Sequence, residues 1–130
     1  MNPDEGFQMT VRNYRDLVVW QRAMDFAEHV YRMTAKFPVE ERYALTSQMR
    51  RAAVSIPSNI AEGQGLHADR AFRRHLSIAH GSLCEVETQF LLAARLEYID
   101  HAELREIAAA ASEVGRLVMG LTHAVSGARA

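Results

Sequence analysis

The chain has 130 residues, 48% of them hydrophobic and 24% charged, with a single cysteine. That is one domain's worth of chain with enough apolar surface for its own core, which excludes a disordered polymer, a collagen and a disulfide scaffold. Fifteen Lys and Arg against sixteen Asp and Glu leave a formal net charge of −1, so whole-molecule charge makes no case for a polyanionic partner.

Residues 1–14 read as a flexible N-terminal tail, with Pro3, Gly6 and no apolar periodicity. MNPDEGFQMT is acidic and lacks the apolar stretch of a secretory signal, and no apolar run approaches a membrane span, so a cytoplasmic protein with no membrane partner is expected. A first helix is predicted over about 16–37, with Asp16 as N-cap and Pro38 beyond its end. It carries two apolar seams: Leu17, Trp20, Met24, Ala27 and Tyr31, and beside them Val19, Ala23, Phe26, Val30, Met33 and Phe37. Two adjacent seams make a stripe wider than one neighbour needs, as on a helix that meets both a bundle core and another subunit.

A second helix is predicted over about 41–63, with Leu45, Met49, Ala52, Ile56 and Ile60 in register, a kink at Pro57 and a stop at Gly63. A third, over about 69–97, starts at Asp69 and carries Phe72, Leu76, Ala79, Leu83, Val86, Phe90 and Ala93. A fourth, over about 101–125, follows Asp100 with Leu104, Ile107, Ala111, Val114, Val118, Leu121 and Val125. No alternating strand pattern occurs. The expected fold is all-α, an antiparallel up-down-up-down four-helix bundle over 15–126.

Charge is uneven along the chain. Residues 42–80 carry six arginines against two acids, net +4, and residues 85–113 carry seven acids against two arginines, net −5. Fourteen of the fifteen basic residues are Arg, the side chain suited to bidentate pairing with carboxylate or phosphate. Arg50, Arg70, Arg73 and Arg74 are the candidate nucleic-acid contacts.

Signatures of catalysis are weak. Gly63-Gln64-Gly65-Leu66-His67-Ala68 fits a dinucleotide-binding pattern, but that pattern needs a preceding strand and a parallel sheet, so it reads as a helix stop and turn. No Glu is followed three residues later by His, as a di-iron bundle requires, and Asp25 with His29 lies on the wet face of the first helix. Cys84 is alone, which excludes a multi-cysteine zinc site, and its place in an apolar helical register predicts a buried small hydrophobe. No catalytic, metal or cofactor residue is expected, and no cofactor.

Polar residues interrupt the seams of the second and third helices: Gln48, Arg51, Ser55, Asn59 and Glu62, with Ser82, Glu85 and Gln89. They are either a buried hydrogen-bonded network that fixes packing, the favoured reading, or a face for a ligand or partner. If buried, Arg51 needs a carboxylate such as Glu62 or Glu85.

Leu17-x-x-Trp20-x-x-Ala23, Phe37-Pro38-x-x-Glu41-x-x-x-Leu45-x-x-Gln48-x-x-Arg51-Ala52, the run Ser55-Ile56-Pro57-Ser58-Asn59-Ile60-Ala61-Glu62-Gly63, and Leu76-x-x-Ala79-x-Gly81-Ser82-x-x-Glu85 together resemble the four-helix bundle proteins of the 23S rRNA intervening-sequence family. The resemblance spans about residues 15–125. It implies a bacterial bundle that assembles as a ring-like homopentamer, and carries over no catalytic residue. A relative with a described role, the accessory protein of diversity-generating retroelements, is a basic barrel that binds nucleic acid and a reverse transcriptase; this chain departs from it in charge. The expected function is a non-enzymatic, oligomeric interaction scaffold linked to RNA or ribonucleoprotein. The alternatives are a protein–protein adaptor without nucleic acid, and a small-ligand or enzymatic site on the Arg51–Glu62 face.

Overall fold

A computed structural model describes residues 13–127. Among them are four α-helices and no strand: α1 (Val18–Thr34), α2 (Leu45–Gly65), α3 (Asp69–Arg95) and α4 (His101–Gly127). The tail expected over 1–14 lies, up to residue 12, outside the described residues. None of the described helices is long and apolar enough to cross a membrane.

Local chemistry places the helix ends away from several expected positions. Asp16 does not cap α1. Tyr14–Asp16 form a 3-10 turn, capped by Asn13, whose Oδ1 accepts the Arg15 N–H at 2.9 Å, and extended Leu17 then leads into the helix. α2 begins at Leu45 rather than near 41, because Val39–Glu41 form a second 3-10 turn. From that turn the Glu41 carboxylate accepts the Leu45 N–H at 3.3 Å, satisfying one of the helix's unpaired donors. α2 runs through Pro57 as one helix and passes Gly63 to end at Gly65; no described glycine has positive φ, and His67 (φ 55°) makes the turn instead. α3 ends in a Schellman motif. Glu97 takes the left-handed conformation (φ 65°), its N–H reaches Ala94 O at 3.0 Å, and Tyr98 N–H reaches Ala93 O at 2.9 Å. α4 opens on a reciprocal box: Glu103 N–H donates to Asp100 Oδ1 at 2.8 Å and Asp100 N–H to Glu103 Oε1 at 3.0 Å.

The seams assemble the core. All seven apolar residues expected on α3 are buried, and Met49, Ile56 and Ile60 of α2 and Ile107, Val114 and Val118 of α4 are fully enclosed with them. Each helix packs on two others in the cyclic order α1–α2–α3–α4. The cross-helix contacts run in opposite chain directions. Ser55 meets Ser82 while Asn59 meets His75, and Arg22 meets Glu113 while Lys36 meets Glu103. These pairings are consistent with an up-down-up-down bundle. One end is tied where the α1/α2 and α3/α4 connections touch: Tyr98 Oη donates to Glu41 Oε2 at 2.8 Å, the Phe37 and Tyr98 rings lie 5.3 Å apart, and Lys36 Nζ donates to Glu103 at 2.9 Å.

α1 separates its two seams. The set Val19, Ala23, Phe26, Val30, Met33 and Phe37 is buried. Of the other set, Leu17 and Ala27 are buried, Trp20 is half-buried, and Met24 and Tyr31 are each 45% exposed. Beside them on α2, Val54 is 41% exposed. An apolar groove lined by Trp20, Met24, Tyr31, Val54, Pro57 and Ala61 therefore runs along the outside of the α1–α2 pair.

Candidate functional site

Ser55, Asn59 and Glu62 recur every three or four residues on α2 and so face α3 along one strip. The structure closes part of this strip into a network. The Asn59 amide nitrogen donates to the Ser55 carbonyl at 2.8 Å and lies 3.0 Å from Ser55 Oγ. A carbonyl only accepts, so this contact fixes the amide orientation and leaves Asn59 Oδ1 facing His75 Nδ1 at 3.0 Å. His75 therefore carries its hydrogen on Nδ1 and donates it. Ser55 and Ser82 hydroxyls share a hydrogen bond of 2.8 Å, and His75 Nε2 lies 3.9 Å from Glu62.

The rest of the predicted face is outside that network. Gln48, Arg51, Glu62 and Glu85 are exposed, and Arg51 pairs with neither Glu62 nor Glu85. The condition that Arg51 needs a buried carboxylate does not arise. Ser55, Asn59 and Ser82 are half-buried. His75 was missed by the reading of the sequence. Its partner lies sixteen residues away on another helix, and no local spacing signals it.

Gly63 explains the glycine that resembled a nucleotide motif. A Cβ built there would stand 2.7 Å from His75 Cβ and 3.1 Å from Phe72 Cδ1. The glycine lets α2 and α3 approach closely just beyond the network, and the surroundings are helical, without the strand and sheet of a dinucleotide fold. Among the described residues no group of three or more His, Cys, Asp or Glu is arranged to hold a metal. Asp25 pairs with Arg22 at 3.4 Å, and Cys84 is exposed on α3 rather than buried in a seam.

The four candidate nucleic-acid contacts do not converge within one subunit. Arg50 lies toward the start of α2, where Nε donates to Thr34 Oγ1 at 2.9 Å and a terminal nitrogen to the Tyr31 carbonyl at 3.2 Å. Arg70, Arg73 and Arg74 lie on the first turns of α3, beside the far end of α2. Arg70 and Arg74 are exposed, Arg73 is half-buried, and none of the three makes an ion pair among the described residues.

Residues 15–120 match the family model of the 23S rRNA-intervening sequence protein. The chain belongs to that family. The run Ser55 through Gly63 is thus the stretch of α2 that clamps α3: its Ser and Asn supply the network and its Gly the close approach. Among solved structures, the chain is similar to a protein of unknown function of the S23 ribosomal protein family from Bacteroides thetaiotaomicron. The two are 24% identical, the likeness covers 81% of this chain and 98% of that one, and the TM-score is 0.73. That likeness supports the bundle fold. No curated protein matches. Neither the family's description nor the relative's names an enzymatic activity.

Proposed function

We infer that this intervening-sequence family member is a non-enzymatic, self-associating bundle that serves in the cytoplasm as an interaction scaffold for RNA or ribonucleoprotein. The observation that carries the reading is the second seam of α1. A contiguous exposed apolar patch marks an interaction site, and Trp20 and Met24 form one along the groove with Pro57 and Ala61 of α2. A second copy of this chain is the proposed cover. The net +4 of residues 42–80 and the net −5 of residues 85–113 give two copies complementary surfaces to set against one another. The family resemblance points to five copies in a ring.

Light scattering on the purified chain tests the assembly. The expected mass is five times the 14.6 kDa of one chain, and Met24→Glu, a change at an exposed position, shifts it toward that of a single chain. A wild type that stays at one chain's mass at micromolar concentration overturns self-association. The RNA link is supported by Arg70, Arg73 and Arg74, which make no ion pair among the described residues. Titration against a fluorescent structured RNA tests it: binding that weakens steeply from low to near-physiological salt is expected. No binding at either salt removes the RNA link and leaves the protein–protein adaptor.

A further inference from the structure

The end of α1 and the start of α2 enclose a second groove, with a volume of ≈ 480 Å³. Its charged lining residues are Arg42, Arg50 and Arg51, its aromatic ones Tyr31 and Tyr43, and among the described residues no acidic side chain lines it. The three guanidinium groups differ in their commitments. Arg50 is fixed by Thr34 and the Tyr31 carbonyl and lies 4.6 Å over the Tyr31 ring. Arg42 and Arg51 are exposed and make no ion pair among the described residues. The nearest acid along the chain, Glu41, is already engaged by Tyr98 and by the Leu45 N–H.

Tyr43 is 88% exposed, more than any other large hydrophobic described. It lies outside the α2 register and adds nothing to the core. A free aromatic face beside two unpaired guanidinium groups offers base stacking and phosphate pairing in one place, the combination that holds single strands. An acidic peptide would use the arginines but leave the ring idle, and a duplex keeps its bases stacked inside.

We propose that this groove binds unpaired RNA, with backbone phosphates on Arg42 and Arg51, a base stacked on Tyr43, and the immobile Arg50–Tyr31 pair as its floor. The proposal rests on the RNA-linked reading above and adds a contact at the start of α2 to the arginines on the first turns of α3.

The test is fluorescence anisotropy of a labelled twelve-nucleotide unpaired RNA with the full chain across a salt series. Tyr43→Ala is expected to weaken binding about five- to a hundredfold with the salt slope kept. The double variant Arg42→Gln, Arg51→Gln is expected to lower the slope of log K against log salt by about 1.4, from roughly 0.7 per phosphate contact. The double variant Arg95→Gln, Arg105→Gln, at exposed positions outside both arginine groups, is expected to bind as wild type does. All five positions are exposed, so melting temperature and assembled mass stay unchanged and report any loss of fold. If the wild type binds and the Tyr43 and Arg42–Arg51 variants bind equally well, the groove proposal fails while the RNA reading stands. A wild type that binds no RNA at any salt ends both. Competition by poly-glutamate as effective as by RNA would make the groove an acidic-peptide site, and equal competition by free AMP a mononucleotide site; either overturns the proposal.

Discussion

A methyl group at position 63 has nowhere to go, because His75 Cβ is placed by the α3 backbone, which the rest of that helix holds in position. Gly63→Ala is therefore expected to lower stability by about 1–3 kcal/mol, the range for forcing one extra carbon into a packed contact, read as an earlier urea midpoint. Asn59 joins three groups at once, so Asn59→Ala strands the His75 N–H, while the Ser55 carbonyl keeps the helical N–H of residue 59. A loss of about 1–3 kcal/mol is expected in the same measurement. Gln89 works in the opposite sense. Its Oε1 is buried without a hydrogen-bond partner among the described residues, so Gln89→Met is expected to raise the midpoint by removing an unsatisfied oxygen at nearly constant volume. At this scale the sequence was half legible. Ser55 and Asn59 declare themselves as polar interruptions of an apolar register. What they touch depends on how far α3 slides along α2, which no spacing within either helix encodes.

Helices were the most legible elements, because a 3.6-residue period sustained over twenty or more residues has few other readings. Their ends were less so. Asp16 and Gly63 each have the right chemistry for a cap, but a 3-10 turn and a packing demand took those positions instead. Glu97 is the converse case, a left-handed residue with a Cβ. Glu97→Gly relieves that conformation at the α3 Schellman turn and is expected to raise the melting temperature, offset in part by glycine's greater freedom when unfolded. The same connections carry the pH dependence. The Lys36 hydrogen bond, then the Asp100 N–H, hold the Glu103 carboxyl below its usual range. A lowered folded value means that this stabilisation is complete above about pH 4.5 and is lost as pH falls through the lower folded value. The Lys36 ammonium is raised by the same bond, so its share is complete below its usual 10.5 and lost as pH climbs past the raised value. Tyr98 is raised by donating to Glu41, and its share likewise fades above about pH 10. Melting temperature is thus expected to be flat between these limits and to fall on both sides, and Lys36→Met to flatten the acid and alkaline limbs together. Both side chains of the Lys36–Glu103 pair reach solvent, so the effect is modest and shrinks with salt.

For the molecule as a whole, the second seam of α1 was legible as a surplus of apolar residues, and the structure shows which of them the subunit leaves uncovered. The Arg42–Tyr43 corner was not legible as a site. Tyr31 reads as part of a seam and Tyr43 as a stray aromatic, and only the antiparallel return of α2 along α1 brings them to one groove. That wiring, in which each helix lies against its sequence neighbours and only α1 and α4 meet across the chain, has a kinetic corollary. Contacts between elements adjacent in sequence cost little loop-closure entropy, so a subunit of this topology forms quickly, in microseconds to milliseconds. Assembly must then wait for diffusion. Helical signal after dilution from denaturant should return at a rate independent of protein concentration, while assembled mass returns at a rate that rises with it. The uncovered α1 seam would thus spend its lifetime as an exposed surface between those two events, and the chance of capture by the wrong partner is set by how crowded the chain's own copies are.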